Sequence, residues 1–427
     1  MLNPKLIEQF FGAASIQRWN DYPRMVELVE LDKQAHKFII AYFIAKMEPK
    51  ESFDMRSLIE AGIFEFLRRV VVTDIRPDVF RKALQKKEKE INTWVLSQLY
   101  DSLSDIEDGA FYERFKNYLS DSSMYKKERF ILKAASYMAT RWEFSIVYQT
   151  SQFLNNIDRV KEAVEEEIED YYELISVRKM AMNKKISKII DLSGRLRFQK
   201  RWAQTPRIPE TSVLGHMLIV AILGYFYSLS AKACDQRLVN NFFCALFHDF
   251  PEALTRDIIS PVKYSVSGLD DIISEFEIKM IEEEILPYLP EGLVKEFKYL
   301  LGLYGDHQKN EFLNRINEHE IVPVEDVSAY NEDRFNAIDG KALKNCDNLA
   351  AFIEATLSIS HGVKSKELIQ GKEHIRGKLK EKGKKRIHMN SGAWFHLTLP
   401  KKTDLDFRLL QKDSFPTPMR LAFFEAQ

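Results

Sequence analysis

The chain has 427 residues, of which 45% are hydrophobic and 29% are charged, and its 62 basic residues nearly balance its 63 acidic ones. This is the composition of a globular protein, and the length favours two or three domains. A protein that holds long nucleic acid needs a basic surplus, so the balanced charge argues against such a partner. The three cysteines form no CxxC pair, which fits a reducing cytoplasm.

Helical patterns dominate the chain from its N-terminus onward. The segments Lys161 to Tyr172 and Ile272 to Leu289 are long, charged and free of glycine. Strand-like alternation is scarce before residue 390, and residues 394–399 and 406–410 could form short strands. The sequence therefore predicts an all-α fold.

The sequence gives no indication of a membrane protein. The N-terminus lacks the basic-then-apolar pattern of a signal peptide. The longest apolar run, Val213 to Leu229, contains His216, and a bilayer span usually needs about 20 apolar residues. We expect this run to be a buried core helix, with no membrane contact and a cytoplasmic location.

The chain also repeats itself, which indicates two copies of one helical domain. Gln17-Arg18-Trp19 recurs as Lys200-Arg201-Trp202, at an offset of 183 residues (17 to 200). Three further matches follow in the same order: residues 36–41 with 216–221, 62–75 with 245–258, and 132–136 with 343–347. Glu143 then falls on Glu354. We predict copies at residues 1–175 and 176–365, linked by a charged helix at 162–173, and a basic C-terminal extension at 366–427.

The two copies differ in the residues that could bind a metal ion. The second copy has His248, Asp249, Glu252 and Asp347 where the first has Glu65, Phe66, Arg69 and Ser136. The first histidine pair, His36 and His216, aligns only if a gap of three residues is allowed. The second copy is therefore predicted to hold the site, and the first to be degenerate.

His248-Asp249 follows a buried apolar run and precedes Pro251, so we expect the pair at a helix end, where both side chains can reach one ion. Imidazole and carboxylate ligands suit a divalent transition ion, which activates water and polarises a phosphoryl group. Glu252 could exchange protons, and Arg201 could hold phosphate oxygens. Taken singly, His216 is more often a core histidine, and Asp347 could be a helix cap. Because these residues occur together and in this order, a metal site is favoured over the separate interpretations.

His216, then His248-Asp249, then Asp347 resembles the HD-domain superfamily of metal phosphohydrolases. The finer pattern is similar to its bacterial 5′-deoxynucleotidase branch, with an Arg-Trp pair fifteen residues before the first histidine (201 to 216). That branch also has the motif H-D-x-x-E-x-x-x-x-D-x-x-x-P-V-K, which this chain matches from His248 to Lys263.

The resemblance implies a helical fold and one divalent ion, which could be Mn, Co, Mg, Fe or Zn. The implied metal ligands are His216, His248, Asp249 and Asp347. Arg201 is expected on the phosphate, Trp202 beside the sugar, and Lys263 among the substrate contacts. Glu252 and Asp257 are implied as further essential acids. The expected reaction releases phosphate from (deoxy)nucleoside 5′-monophosphates, and the family usually forms dimers, so a homo-oligomer is possible.

The sequence departs from this family at the first histidine, where Leu214-Gly215 replaces the frequent Ser-Glu. A carboxylate that orients the ligand could therefore be missing. Hydrolysis of deoxynucleoside triphosphates or cyclic nucleotides on the same metal site stays open. So does a nucleotide sensor without turnover. Hydrolysis of the guanosine alarmone is less favoured, because Ala253 follows Glu252 where that class has aspartate.

Overall fold

Helices form most of the backbone in this computed structural model, as the predicted all-α class requires. The structure describes residues 3–48, 53–73, 75–257, 266–305 and 308–385. These residues belong to one compact unit, and the domain boundaries at residues 175 and 365 stay predictions. The short strands predicted at 394–399 and 406–410 lie outside the described residues.

The first eight helices lie in the N-terminal half of the chain. They are α1 Pro4–Gly12, α2 Glu30–Met47, α3 Met55–Val72, α4 Pro77–Leu103, α5 Ala110–Ser120, α6 Lys126–Ser151, α7 Ile157–Glu169 and α8 Ile175–Ala181. Most of the predicted connecting helix at 162–173 is thus the second part of α7.

The helices of the second half carry the predicted site. They are α9 Lys185–Arg195, α10 Val213–Ser230, α11 Asp235–Phe247, α12 Glu252–Thr255, α13 Leu269–Glu284, α14 Glu291–Leu300, α15 Gly340–Ser360 and α16 Lys366–Lys385. Short 3₁₀ turns occur at Ile106–Gly109, Leu196–Phe198, Leu286–Tyr288, Ser328–Tyr330 and Asp333–Phe335.

Two antiparallel hairpins between α14 and α15 were not predicted. The first pairs β1 Leu303–Tyr304 with β2 Gln308–Lys309, and the second pairs β3 Arg315–Asn317 with β4 Ile321–Pro323. Strands of two or three residues are too short to show a period of two in the sequence. Their connection positions Phe312, whose ring centroid lies 5.6 Å from that of His248.

Helix α10 is the predicted core helix. It is long and apolar enough to cross a membrane, but 89% of its residues are buried inside the protein. Its N-cap is Ser212, whose hydroxyl oxygen accepts a hydrogen bond from the backbone N–H of Gly215 at 2.9 Å. This cap satisfies one of the free N–H groups at the helix start. It fixes the first turn of the helix, which carries His216.

Helices α2 and α10 pack directly against each other. A Cβ atom on Gly215 would lie 2.9 Å from Oδ1 of Asp32 and 2.9 Å from Cδ2 of Leu31. A side chain at this crossing would therefore displace the side chains of Asp32 and Leu31. Helix α9 packs on α2 as well, and Nε2 of His36 donates to the carbonyl oxygen of Ile190 at 3.0 Å. The two halves of the chain thus share one core.

Both halves contain the same local arrangement before their central helix. An isolated bridge joins Gln17 to Val29, and another joins Lys200 to Ser212, each residue being 183 positions further on. Each bridge leads into a helix of 18 residues, α2 in the first half and α10 in the second.

The matched tryptophans have matching backbones. Trp19 has φ 56° and Trp202 has φ 58°, both in the left-handed region that side chains rarely adopt. Because α2 and α10 begin 183 residues apart, His216 occupies the helix position of Lys33. Counted from these helix starts, residue 216 corresponds to residue 33 and not to residue 36, so the structure does not favour the three-residue gap of the predicted repeat.

Candidate metal centre

The His248-Asp249 pair lies at a helix end, as predicted. Helix α11 ends at Phe247, His248 is its C-cap, and α12 begins at Glu252 directly after Pro251. The ring nitrogen Nδ1 of His248 donates to the carbonyl oxygen of Ala245 at 2.6 Å. That bond turns Nε2 toward Asp249, whose Oδ2 lies 3.1 Å away.

His216 lies in the first turn of α10 and faces the same point. Its ring centroid is 5.7 Å from that of His248. Its Nδ1 donates to Oε1 of Glu354 at 3.2 Å, and its Nε2 lies 3.1 Å from Oδ1 of Asp347. In both histidines, therefore, Nδ1 is held by the protein and Nε2 faces a carboxylate.

Helix α15 supplies Asp347 and a lysine one turn before it. Nζ of Lys344 donates to Oδ2 of Asp347 at 2.9 Å and lies 4.3 Å from the centroid of the Phe312 ring. Asp347 thus contacts His216 through one oxygen and Lys344 through the other.

The donor set fits one divalent ion. One ligand atom each from His216, His248 and Asp249 lie within 4.8 Å of one another, and Asp347 adjoins them through His216. Nε2 of His248 is buried and has no hydrogen-bond partner of acceptable geometry among the described residues. Two imidazoles and two carboxylates suit a borderline divalent ion and leave positions for water and substrate. The residues present therefore fit the expected metal.

The charges around the cluster keep its carboxylates ionised. Burial raises the pKa of Asp347, but Lys344 and His216 lower it more, to well below its usual range. The pKa of Asp249 is likewise lowered, since His248 and Arg201 outweigh its burial. Both side chains are therefore anionic at neutral pH and can serve as metal ligands.

His216 is held between two anionic side chains. Burial and Arg201 lower its pKa, but Glu354 and Asp347 raise it further, to about 9. The imidazole therefore sits in a field that favours positive charge near Nε2. A metal cation at this point would experience the same attraction.

Arg201 lies beside the cluster, on the segment that precedes α10. Its Nη1 donates to Oδ2 of Asp257 at 2.9 Å and lies 3.8 Å from Oδ2 of Asp249. Its side chain is 17% exposed, so the guanidinium is accessible at the edge of the cluster. Arg201 and Asp257 thus lie beside the cluster.

Residues 193–376 match the family model of the HD domain. This part of the chain is therefore similar to an HD domain. No curated protein matches the chain. HD domains are in general metal-dependent phosphohydrolases that bind divalent ions, which agrees with the ligand set of this site.

The structure describes all but one of the other predicted site residues. Glu252 is buried at the start of α12, one turn past His248, and its charge acts on Arg201. Trp202 follows Arg201, and its indole Nε1 donates to Oε2 of Glu354 at 3.0 Å. Lys263 lies outside the described residues.

Three residues of the HD domain were given no role from the sequence. Lys344 and Glu354 lie one turn before and two turns after Asp347 on α15, so helical spacing could have placed both on its face. Gly371 on α16 could not have been found in this way. A Cβ atom on it would lie 2.7 Å from Cζ3 of Trp202, so the C-terminal helix packs directly against the predicted sugar contact.

Proposed function

We propose that this chain hydrolyses the phosphate ester of nucleoside 5′-monophosphates, with deoxynucleotides as the preferred substrates. The proposal depends on one divalent ion bound by His216, His248, Asp249 and Asp347. The observation that carries it is the position of Arg201, whose guanidinium lies 3.8 Å from the ligand Asp249. A phosphate bound to the ion would therefore also reach a cationic group with several donors.

When bound, a divalent ion would polarise the phosphoryl group and make a water molecule more acidic. The protein residues supply the remaining functions. Arg201 exchanges its bond to Asp257 for bonds to phosphate oxygens, and Asp257 keeps the guanidinium oriented between turnovers. Glu252 holds a proton for transfer to or from the reacting groups. Lys344 is bound to the carboxylate of Asp347 and adds a second positive charge near the phosphate.

The position of Trp202 supports the preference for deoxynucleotides. Its indole and the proposed ligand His216 bind the same carboxylate, Glu354, which keeps the ring near the proposed phosphate position. Its Nε1 is bound to Glu354 and one edge of the ring packs on Gly371, which fixes the indole as a rigid wall. A rigid apolar wall beside the sugar leaves little room for a 2′-hydroxyl, although such walls discriminate by only about 10²-fold.

We further propose that the first half is a degenerate copy of the HD domain. The bridge, the 18-residue helix and the left-handed tryptophan recur at the same offset, as described above. The contacts of the tryptophans support the same reading. Nε1 of Trp19 donates to Glu143 at 3.3 Å, and Nε1 of Trp202 donates to Glu354, its counterpart in the sequence alignment.

A lysine takes the place of the first metal ligand in that copy. Lys33 has the helix position of His216, and its Nζ donates to Oγ of Ser136 at 2.5 Å. Ser136 in turn aligns with Asp347. Burial lowers the pKa of Lys33 to about 7, against the opposing effect of Glu30. This pair offers an amine and a hydroxyl in place of an imidazole and a carboxylate, so we infer that the first half binds no divalent ion.

The proposal is tested by metal analysis of the full chain together with phosphate release from a nucleotide panel. The panel contains deoxynucleoside and ribonucleoside 5′-monophosphates, deoxynucleoside triphosphates and cyclic nucleotides. We expect about one ion per chain and release of inorganic phosphate from the monophosphates. Activity confined to triphosphates or cyclic nucleotides would replace the proposed substrate, and ion binding without turnover of any panel member would favour a sensor.

A further inference from the structure

Glu354 is a buried carboxylate next to the metal centre, two turns after Asp347 on α15. It is 2% exposed. Its Oε1 accepts hydrogen bonds from Nδ1 of His216 at 3.2 Å and from Oγ1 of Thr211 at 2.9 Å. Its Oε2 accepts the indole N–H of Trp202 at 3.0 Å and lies 3.8 Å from Nη1 of Arg207. One side chain thus connects the metal ligand His216 with the predicted sugar contact.

We propose that Glu354 is a positioning residue. It fixes the His216 ring with Nε2 toward the ion, and it holds the Trp202 ring at a fixed position relative to His216. The inference rests on the proposed metal centre. Glu354 does not reach the ion itself, since its Oε1 binds the ring nitrogen on the far side of His216. A carboxylate at that nitrogen fixes the tautomer and the ring orientation, and it makes the ligating nitrogen more basic.

The surroundings of His216 explain why this carboxylate comes from α15. The residue before the histidine, Gly215, has no space for a side chain, because Asp32 and Leu31 of α2 lie 2.9 Å from its would-be Cβ. Any partner for Nδ1 must therefore come from another helix. The spacing of Asp347 and Glu354 places one carboxylate on each side of the same imidazole ring.

The charge of Glu354 is held by its neighbours. Nη1 of Arg207 lies 3.8 Å from its Oε2, so a cationic group faces the carboxylate. Arg207 is itself buried, and its Nη2 donates to Oγ1 of Thr211 at 2.5 Å. The loop that carries Trp202 is thus anchored to the same glutamate as the metal ligand. A change at Glu354 should therefore affect both ion affinity and the fit of the sugar.

The test is Glu354→Gln in the full chain, with cobalt(II) affinity measured by competition with a chelating dye. Glutamine keeps the size of the side chain but removes its charge. We expect cobalt(II) affinity to fall by about 10- to 100-fold, and saturating cobalt(II) to restore occupancy. The matched control is Glu143→Gln, which removes the buried carboxylate that binds Trp19 and Arg18 in the first half. It should lower stability without changing cobalt(II) affinity.

The outcomes separate this inference from the proposed function. A wild-type chain without measurable cobalt(II) affinity would overturn the metal centre itself. Wild-type binding with unchanged affinity in Glu354→Gln would overturn the role of Glu354 alone, and so would an equal loss in Glu143→Gln. If the Glu354→Gln variant does not fold, nitrogen NMR of the zinc-loaded wild type tests the inference by identifying which ring nitrogen of His216 carries the proton. We expect His216 to carry its proton on Nδ1, and coordination through Nδ1 would refute the inference.

Discussion

Ser212 donates its hydroxyl hydrogen to Asp32, with 2.5 Å between Oγ and Oδ1, while it caps the helix that carries His216. The bond joins the two halves of the chain one turn before a metal ligand. Asp32 is 2% exposed, so its carboxyl group depends on this hydroxyl and on nearby charges for stabilisation.

Asp32 should make the stability of the chain depend on pH. Burial raises its pKa to about 6, against the lowering effects of Arg197, Ser212 and Lys200, whereas an unfolded aspartate titrates near 3.9. The folded state therefore binds the proton more tightly. The contribution of Asp32 to stability is largest below about pH 4 and is lost as the pH rises to about 6.

Asp32→Asn removes this titration. The unfolding free energy of the wild type should fall relative to the variant by about 2 kcal/mol between pH 4 and pH 7. Denaturant unfolding at a series of pH values measures the difference. Parallel curves for the two proteins across this range would show that Asp32 does not titrate as we expect.

His248→Ala and Asp249→Ala should each leave the full chain without a tightly bound ion. Removal of a ligand should cost more than the roughly 10- to 100-fold that the loss of a ligand's hydrogen-bond partner costs. Elemental analysis after loading should fall from about one ion per chain to none, and phosphate release should be lost. Glu65→Ala is the control, because Glu65 is the residue of the first half that corresponds to His248. This variant should keep both the bound ion and phosphate release. One remaining ion in either ligand variant would place the ion elsewhere.

Arg201→Lys should reduce activity although the charge is kept. A guanidinium can donate two parallel hydrogen bonds to a phosphate and an ammonium cannot. Loss of one hydrogen bond to a charged group is worth about 1.5–3 kcal/mol, so kcat/KM should fall roughly 10- to 100-fold. Arg18→Lys is the matched control. Arg18 is bound to Glu143 and Glu30 in the first half, and its replacement should leave kcat/KM unchanged.

The local parts of the site were predictable from the sequence because each depends on short-range rules. Pro251 predicted that a helix ends near His248, and the apolar run around His216 predicted a buried helix. The structure agrees with both predictions.

The interactions between distant segments could not be predicted in the same way. No local pattern indicates that Glu354 faces His216, since the contact depends on how α10 and α15 pack. The sequence also left the register between α2 and α10 ambiguous. A three-residue shift keeps a residue on a similar face of a helix, so the sequence alone could not distinguish His36 from Lys33.

Gly371→Ala should weaken the discrimination between deoxyribonucleotides and ribonucleotides without touching the substrate. An added Cβ would lie 2.7 Å and 2.9 Å from two carbon atoms of the Trp202 ring, so the indole must move. Its Nε1 is bound to Glu354, which limits that movement to a tilt about the bond. A tilted ring leaves a less complete wall beside the sugar.

Matched pairs such as deoxyadenylate and adenylate provide the measurement, as the ratio of their kcat/KM values. The ratio should fall toward one in Gly371→Ala, as in Trp202→Ala, by less than the limit of about 10²-fold that an apolar wall can give. Gly377→Ala is the control on the same helix, because a Cβ there meets nothing within 4 Å. That variant should be somewhat more stable and equally selective, since alanine favours helix over glycine by about 1 kcal/mol. If Gly371→Ala and Gly377→Ala keep the same ratio while Trp202→Ala lowers it, the C-terminal helix does not set the position of the indole.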